Sequence, residues 1–175
     1  MPWYAIYTKS RAEKKVHKAL TEQGIEAYVP LQKKLKQWSD RKKWVDTPVI
    51  NGYVFVKVSP KQRLQVLQTP NVVMFVRYQR QDAVIPDRQM DAMKSLLGQM
   101  DFEVEFSSDD LKQGDKMIIN SGALMGLVGE LVEIKGKKRV AIRIEQLGGH
   151  LNVDIPITSL ERITEEQIEA LEDEN

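Results

Sequence analysis

The chain has 175 residues, enough for one ordinary domain or two small ones. With 42 % hydrophobic and 29 % charged residues it has a globular composition, and no apolar run approaches the ~20 residues of a membrane-spanning helix. Cysteine is absent and the only histidines are His17 and His150, which excludes disulfide frameworks, thiolate zinc sites, cysteine nucleophiles and any multi-histidine centre. The N-terminal stretch MPWYAIYTKSR is too short in apolar residues, and has no basic region before it, for a secretory leader. A cytoplasmic, monomeric protein is expected.

Trp3 to Thr8 is an aromatic and β-branched run that predicts a strand. Ser10-Arg-Ala-Glu13 has the capping-box pattern, and Ala12, Val16, Ala19 and Leu20 follow at helical spacing until Gly24. Ile25 to Leu35 predicts a strand. A basic polar segment follows, and Lys43 to Thr47 is extended again, a hairpin with Ser39-Asp40 near its tip. Val49 to Val58 is the clearest strand, with Val54, Val56 and Val58 on one face and Tyr53, Phe55 and Lys57 on the other. Ser59-Pro60 opens a short helix carrying Leu64 and Leu67. Val72 to Tyr78 predicts another strand. Pro86-Asp87 begins a third helix, with Met90, Met93, Leu96 and Leu97 on one side. Residues 1–97 are thus expected to be α+β, an antiparallel sheet with three helices.

Residues 98–112 are acidic and aperiodic, the pattern of a linker. From Gly114, β-like runs alternate with glycines: Met117 to Asn120, Val128 to Ile134, Val140 to Glu145, Leu151 to Ile155 and Leu160 to Ile163. Five short strands predict a small closed barrel over residues 113–164. Leu127, Leu131 and Ile134, and likewise Val140, Ile144 and Leu147, also fit a helical stripe, so a helical hairpin stays open as an alternative. Thr164-Glu-Glu-Gln167 is a second capping box, with Ile163 and Ile168 at staple positions, so residues 165–175 are expected to form an acidic helical tail.

The net charge of +1 conceals an asymmetry. Residues 1–100 hold 18 Lys+Arg against 8 Asp+Glu, and residues 101–175 hold 8 against 17. A basic half points to a polyanionic partner; attraction between the halves is the other reading. Tyr53 and Phe55, extended by Tyr7 and Ile50, form either an interaction patch on an open sheet face or core beneath the third helix. Lys9, Arg11, Lys14, Lys15 and Lys18 line a helix side, either tracking phosphates or simply solvated. In the hairpin, Lys33, Lys34, Lys36, Arg41, Lys42 and Lys43 accompany Trp38 and Trp44, a set suited either to phosphates and unpaired bases or to a solubilising loop. No nucleophile–base–oxyanion set is present, so no enzyme, cofactor or metal is expected.

These motifs, in this order, resemble a known family. Trp3-Tyr4-Ala5-Ile6-Tyr7-Thr8, the capped helix, Pro30, Asn51-Gly52-Tyr53-Val54-Phe55-Val56, Thr69-Pro70, Phe75-Val76-Arg77 and Ile85-Pro86 resemble the N-terminal domain of NusG-type transcription elongation factors. Gly114-Asp115-Lys116 through Gly122, Gly129 and Glu133-Ile134 resembles the KOW motif of their C-terminal, SH3-like barrel. The resemblance implies a factor that suppresses pausing or termination by docking on the clamp helices of the largest RNA polymerase subunit. Tyr7, Ile50, Tyr53 and Phe55 match the docking positions. In specialised members the basic start of the first helix, here Lys9, Arg11 and Lys14, touches the non-template DNA strand. The barrel would recruit a ribosomal protein or a termination factor. Leu124, Leu127 and Leu147 stand where general NusG proteins carry phenylalanines. That departure resembles specialised paralogues of the RfaH or UpxY kind, which act on chosen operons; in RfaH the C-terminal domain can be helical or a barrel. The other reading is a ribosome-associated, RNA-binding KOW protein.

Overall fold

The structure, a computed structural model, describes residues 1–98 and 102–173, without the side chain of Glu172. The chain divides into two compact units, Met1–Met100 and Asp101–Asn175, and the fold is mixed α/β.

The first unit runs β1 (Trp3–Thr8), α1 (Glu13–Glu22), β2 (Glu26–Tyr28), β3 (Leu31–Gln37), β4 (Lys42–Pro48) and β5 (Tyr53–Lys57). A 3-10 turn at Pro60–Gln62 leads into α2 (Arg63–Leu67), then β6 (Val72–Phe75), β7 (Arg77–Tyr78), β8 (Gln81–Asp82), β9 (Val84–Ile85) and α3 (Asp87–Leu97). The antiparallel sheet has the order β2-β5-β1-β6, and β9 also pairs with β1. Among the described residues β3 and β4 pair only with each other, as a hairpin.

Alternation along β1 and β5 divides the sheet into two faces. Ile6, Val54 and Val56 join Val16 and Leu20 of α1 in one core. Each fully buried aliphatic side chain there contributes roughly 1.5–3 kcal/mol relative to exposure. Trp3, Ala5 and Tyr7 stand opposite Lys57, Phe55 and Tyr53 on the other face. α3 lies over one end of it, with the Lys94 ammonium 4.6 Å from the Trp3 ring and 5.4 Å from the Tyr28 ring. Met90, Met93 and Leu96 of α3 are fully buried.

Local expectations are corrected in three places. The first helix starts at Glu13, because Arg11 has a left-handed φ of 60° and cannot belong to a helical turn. The strand expected over residues 25–35 breaks at Val29-Pro30, since proline lacks a ladder donor and restricts the residue before it. Leu64 is exposed, and Val66 is the buried anchor of α2.

The second unit contains β10 (Val104–Ser107), β11 (Asp115–Ile119), β12 (Val128–Ile134), β13 (Lys137–Ile144), β14 (Gly149–Val153), β15 (Leu160–Arg162) and α4 (Glu165–Asp173). The strand order is β10-β14-β13-β12-β11-β15. All five expected strands are present, but the sheet has six strands. Among the described residues it runs as an open path from β10 to β15, not as a five-stranded closed ring. The sixth strand comes from the expected linker: Val104 pairs with Val153 and Phe106 with Leu151. Residues 99–101 of that linker, and residues 174–175 of the tail, lie outside the described residues. Leu131, Ile134, Val140 and Ile144, which also fitted a helical stripe, lie in β12 and β13. The tail follows its sequence signal. Thr164 N–H donates to Gln167 Oε1 at 2.9 Å, Gln167 N–H donates to Thr164 Oγ1 at 3.2 Å, and Ile168 is buried.

Glu130 is buried in β12 and accepts from Arg143 Nε at 2.5 Å, with Lys116 Nζ 3.6 Å away. His150 stands opposite Arg143 in the ladder. Burial first, then the Arg143 cation, pushes the His150 imidazole below its ordinary pKa. The unfolded chain therefore takes up this proton at higher pH than the folded one. Stability should fall as pH drops from above about 6.5 through the lower folded value. His150→Gln should flatten that fall in urea midpoints measured between pH of about 7.5 and about 5.5. A second prediction concerns β12, where a Cβ at Gly129 would meet Val140 Cγ1 at 2.6 Å and the Ala141 oxygen at 2.9 Å. Gly129→Ala should cost about 1–3 kcal/mol of unfolding free energy in urea titration.

Candidate functional site

Three expected clusters fall in the first unit, and the structure treats them differently. Of the four docking residues, Ile50 and Phe55 are fully buried. Phe55 stands opposite Ala5 and Tyr28, on the end of the face that α3 covers, so of the two alternatives for this ring the core beneath the third helix holds and the open-face patch is corrected. Ile50 lies inside the turn before β5, where Val49 N–H donates to the Pro30 oxygen and Thr8 N–H to the Gly52 oxygen.

Tyr7 and Tyr53 remain half-buried at the open end of the same face. They are direct cross-strand partners, with ring centroids 5.0 Å apart and planes tilted by 45°. Burial, then the hydrogen bond with Tyr7, pushes the Tyr53 phenol up to about 12, so it stays neutral and able to donate. On the other side of Tyr7, in register, comes Met74 of β6, 44 % exposed. Tyr53, Tyr7 and Met74 thus form one apolar row across three strands. Sequence reasoning missed Met74, because nothing in the chain order shows that β6 is the neighbour of β1.

The basic residues Lys9, Arg11, Lys14, Lys15 and Lys18 are all exposed. Their support differs from the expected capping box. Glu13 is buried, and its carboxylate accepts from Gly52 N–H at 3.3 Å rather than reaching back to Ser10. Lys14 Nζ donates to the Asp46 carbonyl at 2.5 Å. These bonds join the start of α1 to the Asn51-Gly52 turn and to the β3–β4 hairpin. Between them opens a groove of about 670 Å³, lined by Arg11, Lys14, Lys36, Val45, Thr47 and Asn51 among others. The cations of the first helix and of the hairpin, separate in sequence, meet there.

In the second unit, Leu124 and Leu127 are buried and Leu147 is half-buried. Of these three partner-binding candidates, Leu147 is therefore the one that reaches the surface in part. Gly126 N–H donates to the Ile119 oxygen at 2.7 Å and Leu127 N–H to the Leu124 oxygen at 3.1 Å, which fold the loop inward. Gly122 and Gly126 supply the positive φ values this requires. Met125, 70 % exposed, is the apolar side chain at the loop surface. No described helix is long and apolar enough to cross a membrane.

The two aromatic types are separable by mutation. Phe55→Ala should cost about 3–5 kcal/mol of stability, the price of emptying a filled core site. Tyr53→Ala should cost clearly less in the same urea or thermal titration, because its ring is already half in solvent.

Comparison with known proteins agrees with this architecture. Residues 1–94 match the family model described as transcription termination factor nusG. The transcription termination/antitermination protein NusG of Staphylococcus carnosus is 24 % identical, covering 92 % of this chain and 95 % of its own. NusG of Staphylococcus aureus strain Mu50 is also 24 % identical with the same coverage. A solved structure, titled for domain interaction in Thermotoga maritima NusG, superposes with a TM-score of 0.54 at 25 % identity, over 93 % of this chain and 97 % of that one. With its family match spanning more than half of the sequence, the chain belongs to the NusG family.

Proposed function

We propose that this protein is a transcription elongation factor that binds RNA polymerase and suppresses pausing or termination, without catalysis or a cofactor. The observation that carries the reading is the row Tyr53–Tyr7–Met74. It presents two aromatic rings and a thioether at the edge of a rigid antiparallel sheet. Aromatic and methionine side chains are the favoured anchors of protein interfaces. Membership of the NusG family, whose relatives here are named termination/antitermination proteins, supports polymerase as the partner. The contact would fall on the clamp of the largest subunit.

Bound there, the protein acts by preferring one polymerase state. Affinity that is greater for the closed, elongating enzyme than for a paused one shifts the population toward elongation. The groove beside α1 supports the second half of the reading, contact with the displaced non-template DNA strand through Arg11, Lys14 and their neighbours. The strands β11 to β15 fit a KOW-type, SH3-like barrel that recruits a further protein. The loop leucines in place of phenylalanines support a specialised factor acting on selected operons in the cytoplasm.

The test is retention of bacterial RNA polymerase core enzyme on the immobilised full chain. Replacing both Tyr7 and Tyr53 with Ala should weaken binding by at least about 30-fold, corresponding to the ~2 kcal/mol of an interface hot spot. Wild-type retention by the doubly substituted chain, with its fold verified by circular dichroism, would overturn the docking assignment.

A further inference from the structure

The β3–β4 hairpin has features that its fold alone does not require. Among the described residues it pairs with no other strand, and from Lys33 to Trp44 every residue is exposed. A lone two-stranded ribbon is only marginally stable in water, so apolar or like-charged surface on it is a cost. This ribbon carries both. Trp38 is 43 % and Trp44 60 % exposed. Lys36 stands directly opposite Lys43 in the ladder, a like-charge pair that destabilises an antiparallel ribbon. Among the described residues, none of Lys33, Lys34, Lys36, Arg41, Lys42 and Lys43 forms an ion pair, although Asp40 and Asp46 lie in the same ribbon.

These features have one direction. Lys36 lines the groove with Arg11 and Lys14, its ladder partner Lys43 holds its ammonium 5.3 Å from the Trp38 ring, and the Arg41 guanidinium lies 5.8 Å from the same ring. The hydrogen bond from Trp38 N–H to the Arg41 oxygen, 2.8 Å, closes the tip and fixes where the indole starts. A line of cations therefore leads from the start of α1, across the groove and along the hairpin, to an indole at the tip. Phosphates spaced along a strand satisfy the cations, including the opposed lysines. An indole offers a π-face to an unpaired base of any identity. A duplex satisfies only the cations, because its bases are already stacked.

We infer that the hairpin tip is a binding site for single-stranded nucleic acid, with Trp38 stacking on an unpaired base and Lys36, Lys43 and Arg41 holding the flanking phosphates. This extends the nucleic-acid contact proposed for α1 and rests on that reading for the course of the strand through the groove. DNA and RNA share the chemistry.

The experiment uses the full chain with labelled oligonucleotides of about twelve nucleotides, within the usual site size: oligo-dT, oligo-U and a duplex of equal length. Fluorescence anisotropy should show a single strand bound more tightly than the duplex. Trp38→Ala should weaken single-strand binding by about tenfold, and Trp38→Phe should restore most of it. Lys36→Gln with Lys43→Gln should make the salt dependence shallower by about 1.4 in slope, two phosphate contacts fewer. Preference for oligo-dT or for oligo-U identifies the strand as DNA or RNA, and either supports the site. Trp38→Ala binding as well as wild type overturns it, as does tighter binding of the duplex. The α1 reading is scored separately by Arg11→Gln with Lys14→Gln. If that variant loses binding while Trp38→Ala keeps it, the tip site fails and the α1 contact stands. The opposite result upholds the tip site and removes the α1 contact.

Discussion

β1 hydrogen-bonds to three strands, β5 on one side and β6 and β9 on the other, so the orientation of its side chains sets the first unit. Tyr4 and Ile6 pack into the core with α1, and Trp3, Ala5 and Tyr7 point the opposite way. A slip of one residue in this register would exchange the two sets and bury Tyr7 in the place of Ile6. The second face is shared unequally. α3 takes the Trp3 end, where Lys94 lies over two rings and Phe55 is sealed from water. The Tyr7 end is left with an apolar row that stays partly open to solvent. Core and candidate interface are thus two ends of one surface, which is why Phe55 and Tyr53, two residues apart, play opposite parts.

The basic side of the unit depends on a buried carboxylate. Glu13 is 5 % exposed and directs its charge at the Gly52 amide instead of at the lysines around it. A surface acid at that position would offset part of the charge of Arg11 and Lys14, its neighbours in the groove lining. Lys14 donates to a backbone carbonyl rather than to a carboxylate, and so ties α1 to the hairpin without an opposing charge in that bond. The result is a groove in which Lys14 is held in place by a neutral partner and whose acids are Glu13, turned to the Gly52 amide, and Asp46. Its electrostatic field is available to an external anion, and it weakens with salt.

In the acidic second unit, charge works inward. Glu130 lies in the sheet and binds Arg143, whose other nitrogen donates to the Leu111 oxygen at 2.7 Å. That bond fastens the segment between β10 and β11 to the middle of the sheet. A buried ion pair of this kind adds little net stability against an apolar substitute, but losing one partner strands a charge. Its contribution here is to position the chain between the strands. The loop between β11 and β12 follows a similar logic, with Leu124 and Leu127 turned in to complete the core and Met125 turned out.

Much of this is local and was legible in the sequence. Period-two alternation marked β5 and sorted its residues into two faces, capping signals marked the 3-10 turn that leads into α2 and the start of α4, and the division of charge separated the two halves. Each depends only on neighbours in the chain. The tertiary structure decided what lies over each surface. α3 could have covered either end of its face, and the composition of β5 is the same in both cases. Met74 joined the tyrosines through a strand neighbour far away in sequence, and Lys36 joined Arg11 in the lining of one groove. Glu13 left its expected cap because the Gly52 amide, 39 residues away, offered a buried partner. Val104 to Ser107 read as a linker because its alternation is short and acidic, and it became a strand when β14 presented a free edge. The sequence by itself determined most of the elements, their faces, their charges and their family resemblance. Burial and partnership were decided only by the folded chain, because they arise from surfaces brought together across distances that no local pattern records.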